Sequence, residues 1–382
     1  MDAKQFFKNK SLCLIPWTGF MLDTDGGVRN CVLSQNSIGH INKNNIKDIL
    51  TSDKNTYIKK QMLDNKMPST CEGCYKLERN KNKLNIVSSR LYYLKELKKI
   101  DLNITDNEKN FNLHQVDLRW TNQCNQACVY CGPEFSSIWA KELKQTIKMD
   151  VKQKNKVKKY VFENIKQLKN VYLAGGEPLL MNENKEFLQL LLEQNKDVTV
   201  RVNTNLSSVG TSVYKLLTKF KNVHWTVSVE SMDNEYNYIR YGGSWLVFLQ
   251  NLKTIQKLNH KISFNMLHFI LNYLSIFNCI DFLKEQGFTN NSFIVGPLTT
   301  PEHLNILNLP DEELNKVKEI LKARIDKQPG FLLQDSYENL LKYLSTPFKK
   351  NIENFKTQSK IIDKRRSLNS KETFSELYKI IY

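Results

Sequence analysis

The stretch Leu118–Pro133, LRWTNQCNQACVYCGP, places three thiols, Cys124, Cys128 and Cys131, in the spacing Cys-x3-Cys-x2-Cys. It follows directly on Val116–Trp120, an apolar and alternating run that reads as a β-strand. Three thiolates on one short loop can hold three irons of a cubic 4Fe-4S cluster. The next cysteine in sequence is Cys279, so the fourth iron would have no protein ligand nearby and would be open to a small molecule. Structural zinc is the alternative, and it takes four ligands, commonly two Cys-x2-Cys pairs or cysteines with histidines close by. Here the next histidine after His114 is His224, and the spacing favours the cluster.

The loop resembles the signature of the radical S-adenosylmethionine enzymes, Cys-x3-Cys-x-aromatic-Cys, down to Tyr130 before the last cysteine. The resemblance implies that the open iron chelates the methionine part of the cofactor and that Tyr130 lies against its adenine.

A second constellation precedes the first: Cys13, Cys31 and the pair Cys71 and Cys74 in TCEGCYK. The segment PWTGFMLDTDGGVRNC between the first two reads as a hairpin, with a turn at Asp25-Gly26-Gly27 and Val28–Leu33 returning. A helix over Asn45–Asn65 leads back to the Cys-x2-Cys knuckle. Four thiolates make a closed site, and by spacing alone zinc and a fully ligated 4Fe-4S cluster both remain open. The order Cys13-x2-Pro16-Trp17, Asp25-Gly26-Gly27-x3-Cys31, Ile38-Gly39, Cys71-x2-Cys74 is similar to the auxiliary-cluster module called SPASM or, in its single-cluster form, twitch. In most relatives that module follows the radical domain, whereas here it comes first. The resemblance implies a second 4Fe-4S cluster, able to pass electrons or to act as a structural staple.

Downstream, strand patterns at Val116–Trp120, Val171–Leu173, Val198–Asn203, His224–Val229, Ile262–Ile270 and Ser292–Val295 alternate with helical patterns. The helices are expected over Ser136–Gln167, Lys185–Gln194, Thr211–Phe220, Tyr236–Leu258 and Ser275–Gln286. Six strand-then-helix units imply parallel strands. The expected fold is α/β, a partial (β/α)6 TIM-like barrel with a small N-terminal α+β iron–sulfur domain and a helical C-terminal segment. The expected partition is 1–84 auxiliary-cluster domain, 85–113 helical linker, built on a helix over Leu77–Leu102 and the polar run Asp101–Asn112, 114–300 partial barrel and 301–382 helical segment, with helices over Pro310–Ala323 and Ser336–Leu344.

Chemistry in such barrels sits at the C-terminal ends of the strands, where the cysteine loop falls. The second strand ends in Gly175-Gly176-Glu177, in which glycines let backbone approach a ligand and a carboxylate can accept from an ammonium group. By resemblance this is the family's Gly-Gly-Glu, which holds the amino group of the cofactor's methionine. Asn203-Thr204-Asn205 matches Thr-Asn-Gly only in part, because Leu206 stands where a glycine is wanted. By resemblance Ser228 and Glu230 face the ribose hydroxyls and Arg240 the cofactor carboxylate, a geometry that suits a guanidinium fork. Asn272 and Val295 are further candidates for the cofactor pocket, and Cys279, in an apolar helical run, reads as a buried structural thiol. The tail contains Asp363-x2-Arg366 ahead of a Phe-x-Glu-Leu stretch, as in the same relatives.

The net charge of +17 invites a nucleic-acid reading, but its lysines are spread along the chain, with denser stretches only at Tyr93–Lys99 and Lys152–Lys159. No apolar run of about 18 residues and no secretory pattern stands out, so a cytoplasmic protein without a membrane span is expected. The eight cysteines then belong to a reducing compartment and read as metal sites. The expected activity is reductive cleavage of S-adenosylmethionine to a 5′-deoxyadenosyl radical that abstracts a hydrogen atom from a peptide or protein, with flavodoxin or ferredoxin as the kind of electron donor. RNA, a nucleotide or a sugar is the alternative substrate, and a metal-stapled binding protein without catalysis is the alternative class.

Overall fold

The computed structural model describes residues 9–79, 88–96, 107–326 and 332–382. By compactness the chain divides into one unit of residues 1–124, 133–203 and 208–224 and a second of 125–132, 204–207 and 225–382.

The first unit contains β1 (Gly19–Leu22), β2 (Gly27–Arg29), β3 (Gly39–His40), β4 (Gln115–Leu118), β5 (Asn170–Leu173) and β6 (Thr199–Thr204). They lie side by side in the order β3-β2-β1-β4-β5-β6. β1 and β2 form the expected hairpin, antiparallel with Leu22 opposite Val28. β1 is also the parallel neighbour of β4, Gly19 opposite Gln115. The N-terminal segment therefore extends the sheet, and compactness groups it with β4–β6 instead of setting it apart as the sequence-order partition does.

β4, β5 and β6 are parallel and in register, joined through helices Ser137–Glu142, Val151–Glu163 and Asn182–Gln194. Their alternation gives the sheet two unlike faces. Val116, Leu118, Val171, Leu173, Val200 and Val202 are buried, each worth about 1.5–3 kcal/mol of apolar transfer as an upper estimate. Gln115, Asp117, Asn170, Tyr172, Arg201 and Asn203 take the alternate positions. Parallel strands are usually apolar on both faces, so this polar face is the first sign of a site.

The second unit holds most of β7 (Val223–Ser228), then β8 (Lys261–His268) and β9 (Phe293–Pro297). Helices Asp233–Ile239 and Trp245–Gln256 lie between the first two, and Ser275–Glu285 precedes β9, which pairs in parallel with β8. Helices Asp311–Asp326, Leu332–Tyr343, Ile352–Arg366, Ser370–Thr373 and Ser375–Ile381 close the chain. The element order is that of an α/β partial (β/α)6 barrel with an N-terminal α+β segment and a helical C-terminal segment. Among the described residues no helix is long and apolar enough to cross a membrane.

Three expected helices are interrupted, each by local chemistry that periodicity does not report. In 45–65, Ser52 starts a new helix by accepting from Asn55 N at 3.4 Å, while Asn55 Nδ2 donates to Leu50 O at 2.7 Å and closes the one before. In 136–167, Lys144 takes a left-handed φ of 54° and Asp150 caps the next helix by accepting from Gln153 N at 2.9 Å. In 236–258, Gly242 at φ 89° turns the chain before Ser244 caps the second helix. The expected connecting helix Leu77–Leu102 is described only as parts of Glu72–Arg79 and Ser89–Glu96, its other residues lying outside the described ones, as does 101–106 of the polar run. The basic run Lys152–Lys159 lies on the Val151–Glu163 helix, where Lys154 and Lys158 pair with Glu183 and Glu186, a solvated face; 97–99 of the other basic run lie outside the described residues.

A Cβ at Gly242 would stand 2.7 Å from the carbonyl oxygen of Asn125 at a φ that L side chains avoid. Gly242→Ala is therefore expected to cost about 1–3 kcal/mol, read as a lower urea midpoint with an unchanged m-value. An unshifted midpoint would refute this account of the turn.

Candidate active site

The cysteine loop starts at the C-terminal end of β4. In the first unit, Ser137 Oγ accepts from Cys124 N at 3.2 Å and donates to Cys124 O at 3.1 Å, so one hydroxyl fixes the backbone on both sides of the thiol. Gly175-Gly176-Glu177 follows β5 and lies directly against the approach to the loop. Gly176 N donates to Thr121 O at 3.2 Å and Glu177 N to Gln123 O at 2.7 Å. A Cβ at Gly176 would sit 2.1 Å from Gln123 O, an overlap that only backbone movement could relieve. The Glu177 side chain is fully buried and accepts from Leu179 N at 3.1 Å. Asn203 sits half-buried on β6, and its Oδ1 has no hydrogen-bond partner among the described residues.

In the second unit the rest of the loop, residues 125–132, is tied to the turn after the Asp233–Ile239 helix. Ala127 N donates to Tyr241 O and Val129 N to Ile239 O, both at 2.8 Å. Behind these bonds lies a sealed charge pair. Arg240 Nε donates to Glu230 Oε2 at 2.7 Å and Nη2 to Oε1 at 2.8 Å, with side chains 3% and 1% exposed. Arg240 Nη2 also donates to Tyr130 Oη at 2.7 Å, Tyr130 Oη donates to Glu230 Oε1 at 3.0 Å, and Nη1 lies 3.8 Å from Cys128 Sγ. Burial pushes the Cys128 thiol up from its ordinary value while the Arg240 charge pulls it back. Burial also opposes the Arg240 charge, and Glu230, Tyr130 and Cys128 outweigh it, so the guanidinium stays firmly protonated.

Arg240 and Glu230, expected to face the cofactor carboxylate and the ribose, pair with each other here, and the pair orients Tyr130 and faces Cys128. Ser228 is half-buried at the end of β7. Asn272 is buried and buttresses the same place, donating to Glu230 O at 3.0 Å and Leu267 O at 2.8 Å. Val295 is buried in β9 and its amide donates to Ser336 Oγ at 3.1 Å. Cys279 is fully buried, its thiol raised by burial, with Sγ 3.6 Å from Ser231 O, as a structural thiol should be. Leu206 does take the left-handed φ of 57° that a glycine would have served; its burial and a 2.8 Å bond from Asn251 Nδ2 to its carbonyl hold it there.

Two contributors escaped the sequence reading. Asn125 joins Asn205 and Ser207 through bonds of 3.2 and 2.8 Å, pinning the loop to that short segment. Arg366, noted only as part of a tail pattern, donates from Nη1 to Ala127 O at 2.7 Å. Its partner in that pattern, Asp363, accepts from Tyr238 Oη at 2.8 Å.

The N-terminal cysteines converge within the first unit and form no disulfide. Burial raises all four thiols, to about 11 for Cys31 and about 12 for Cys71; repulsion from neighbouring cysteines pushes Cys13, Cys31 and Cys71 up further, and Glu78 does the same for Cys74. Backbone amides aim at the sulfurs: Ile15 at Cys13, Leu33 and Ser34 at Cys31, Ser89 and Arg90 at Cys74. Amide donors to sulfur are what a thiolate-held cluster requires around it, so the residues present fit such a group. Among the described residues no three His, Cys, Asp or Glu side chains already stand as the ligands of a single metal ion. Beneath the knuckle, Arg90 binds Glu78 and donates to Leu12 O at 2.9 Å, and Tyr75 Oη donates to Ser11 O at 2.7 Å.

Removing one member of a sealed ion pair leaves the other uncompensated, so Arg240→Met should lower stability by about 3–5 kcal/mol. The Arg240→Met, Glu230→Met double variant should recover much of it, a coupling readable in a double-mutant denaturation cycle. Additive losses would show that the pair is not coupled.

Two family models match the regions in which the cysteine sets lie. The Radical SAM superfamily matches residues 118–283, and an iron–sulfur cluster-binding domain, SPASM, matches residues 13–75. Two curated relatives are GTP 3′,8-cyclases, from Aliarcobacter butzleri and Sulfurimonas denitrificans. They are 23% identical over 174 residues and 24% over 172, each match covering 44% of this chain and 51% of the relative. The chain thus spans about half the length of these relatives. The solved structure of Streptococcus suis SuiB bound to precursor peptide SuiA is 19% identical, covering 75% of this chain and 64% of that one at a TM-score of 0.42. Native anSMEcpe with bound AdoMet is 14% identical, covering 57% and 63% at 0.43. Residues 118–283 thus match the Radical SAM superfamily, and residues 13–75 ahead of them match a SPASM-type iron–sulfur cluster-binding domain.

Proposed function

We propose that this chain is a radical S-adenosylmethionine enzyme acting on a peptide or protein side chain. Cys124, Cys128 and Cys131 would hold the cofactor-binding 4Fe-4S cluster, and Cys13, Cys31, Cys71 and Cys74 the auxiliary one. When bound, the first cluster supplies the electron, delivered by a donor of the flavodoxin or ferredoxin kind, that cleaves S-adenosylmethionine to methionine and a hydrogen-abstracting 5′-deoxyadenosyl radical. The observation that carries the reading is the clasp of Gly176 and Glu177 on the backbone of Thr121 and Gln123 at the mouth of the cysteine loop.

The chain's own residues then divide the work. Ser137 holds the backbone at Cys124. Arg240 favours the thiolate of Cys128 by placing a positive charge beside it and fixes the phenol of Tyr130 where an aromatic face can meet adenine. Glu177, buried at a strand end, is the carboxylate suited to an ammonium group. The burial around Cys128, Glu230 and Arg240 excludes water from that side. A second reading, a nucleotide substrate, is favoured by the likeness to the GTP 3′,8-cyclases over the half that matches.

The test is anaerobic reconstitution with iron and sulfide, then dithionite and S-adenosylmethionine. About eight irons per chain are expected for two cubic clusters, with release of 5′-deoxyadenosine that Cys128→Ala abolishes. About four irons with release would leave the N-terminal set to zinc or nothing. A loaded, reduced protein that releases none would return the chain to the binding-protein reading.

A further inference from the structure

The polar face of the first unit's sheet opens on a cavity of about 180 Å³. Its floor is set by register, with Gln115 opposite Asn170 in one row and Asp117 opposite Tyr172, itself opposite Arg201, in the next. Gly19 pairs with Gln115, and a Cβ there would fall 2.2 Å from Gln115 Cγ, so this side chain occupies space that only glycine leaves. The loop after β2 brings Asn30 and Cys31 to the wall.

Three carboxamides in this cavity are at least nine-tenths buried: Asn30 at 4%, Gln115 at 5% and Asn170 at 6% exposure. Among the described residues Asn30 Nδ2 and Oδ1, Gln115 Nε2 and Oε1, Asn170 Oδ1 and Arg201 Nε have no hydrogen-bond partner. Leaving such groups unpaired is costly. Asp117 is not among them, since Arg119 grips both its oxygens at 3.1 Å.

The inventory decides what would fit. The orphaned atoms are three donors and three acceptors, all within one lining. A carboxylate or phosphate, which only accepts, would satisfy the donors and leave three oxygens facing its charge; an ammonium would do the reverse. A planar amide offers N–H and C=O side by side and meets both sets. Water can do so too, and the space would hold roughly six molecules at about 30 Å³ each.

We propose that this cavity, beside Cys31, is a substrate subsite that takes an amide group of a polypeptide through Asn30, Gln115 and Asn170. The assignment rests on the reading of the chain as a peptide-modifying enzyme and adds the recognition chemistry. An amide seated there lies on the strand whose far end leads into the cysteine loop, with the auxiliary cysteines at the near end.

The experiment is equilibrium titration of the full-length, cluster-loaded protein, without S-adenosylmethionine or reductant, with the capped tripeptides Ac-Gly-Asn-Gly-NH2, Ac-Gly-Asp-Gly-NH2 and Ac-Gly-Leu-Gly-NH2. Binding of the asparagine peptide about tenfold tighter than the leucine peptide, lost in Gln115→Leu and in Asn170→Leu, assigns a side-chain carboxamide. Equal binding of those two peptides, weakened about tenfold in both variants, assigns a backbone amide. Preference for the aspartate peptide, affinities that neither variant moves, or no binding at all would overturn the proposal, the last two leaving water as the occupant. Both variants replace an orphaned polar group by an apolar one, so they should keep their iron and melt no lower than wild type; a lower melting temperature with iron loss would mean a structural role and also overturn it. Failure of the radical reading would be seen separately, as wild-type protein that binds peptide yet releases no 5′-deoxyadenosine.

Discussion

The Glu230–Arg240 pair is the constraint around which the second unit's part of the site is arranged. Taking a carboxylate and a guanidinium out of water costs several kcal/mol per ion, offset only when the geometry is good and the spare donors find partners. Here they do: the guanidinium also reaches Tyr130 and faces Cys128, and Asn272 holds the backbone at Glu230. Because an ion pair this dry tolerates little movement, the end of β7, the turn after the next helix and the middle of the cysteine loop are fixed with respect to one another. Arg366, reaching Ala127 from the C-terminal helices, adds a restraint from residues far away in sequence.

The first unit meets a different requirement. A cluster loop must be rigid without closing the face on which a ligand arrives, and glycine at 176 lets two backbone segments touch without side chains between them. The same unit leaves one face of its parallel sheet polar, from Gln115 at the auxiliary-cysteine end of β4 to Asp117 and Arg119 towards the loop. Polar groups in a parallel sheet lower stability unless they are paired, and among the described residues several here are not.

The N-terminal segment shows why domain order is a poor guide to spatial order. In sequence it is a separate cysteine module ahead of the barrel, yet β1 pairs in parallel with β4 and prolongs the sheet. Backbone pairing needs only matched strands, and nothing in the composition of Gly19–Leu22 says which neighbour they will choose.

By itself the sequence carried two sets of cysteines of different spacing, the Gly-Gly-Glu at a strand end, and the strand-helix alternation of an α/β barrel. These are local patterns, since thiol spacing, strand alternation and the steric freedom of glycine act within a few residues and survive in one dimension. Even Leu206 was legible, as a place where glycine was wanted and the backbone did adopt the left-handed turn. Tertiary structure alone decided that Arg240 pairs with Glu230, that Arg366 braces the loop, and that Asn30, Gln115 and Asn170 share one cavity. Each depends on which groups meet after folding, because a long polar side chain takes whichever partner desolvation leaves within reach, ten residues away for Arg240 and Glu230 and 239 for Arg366 and Ala127.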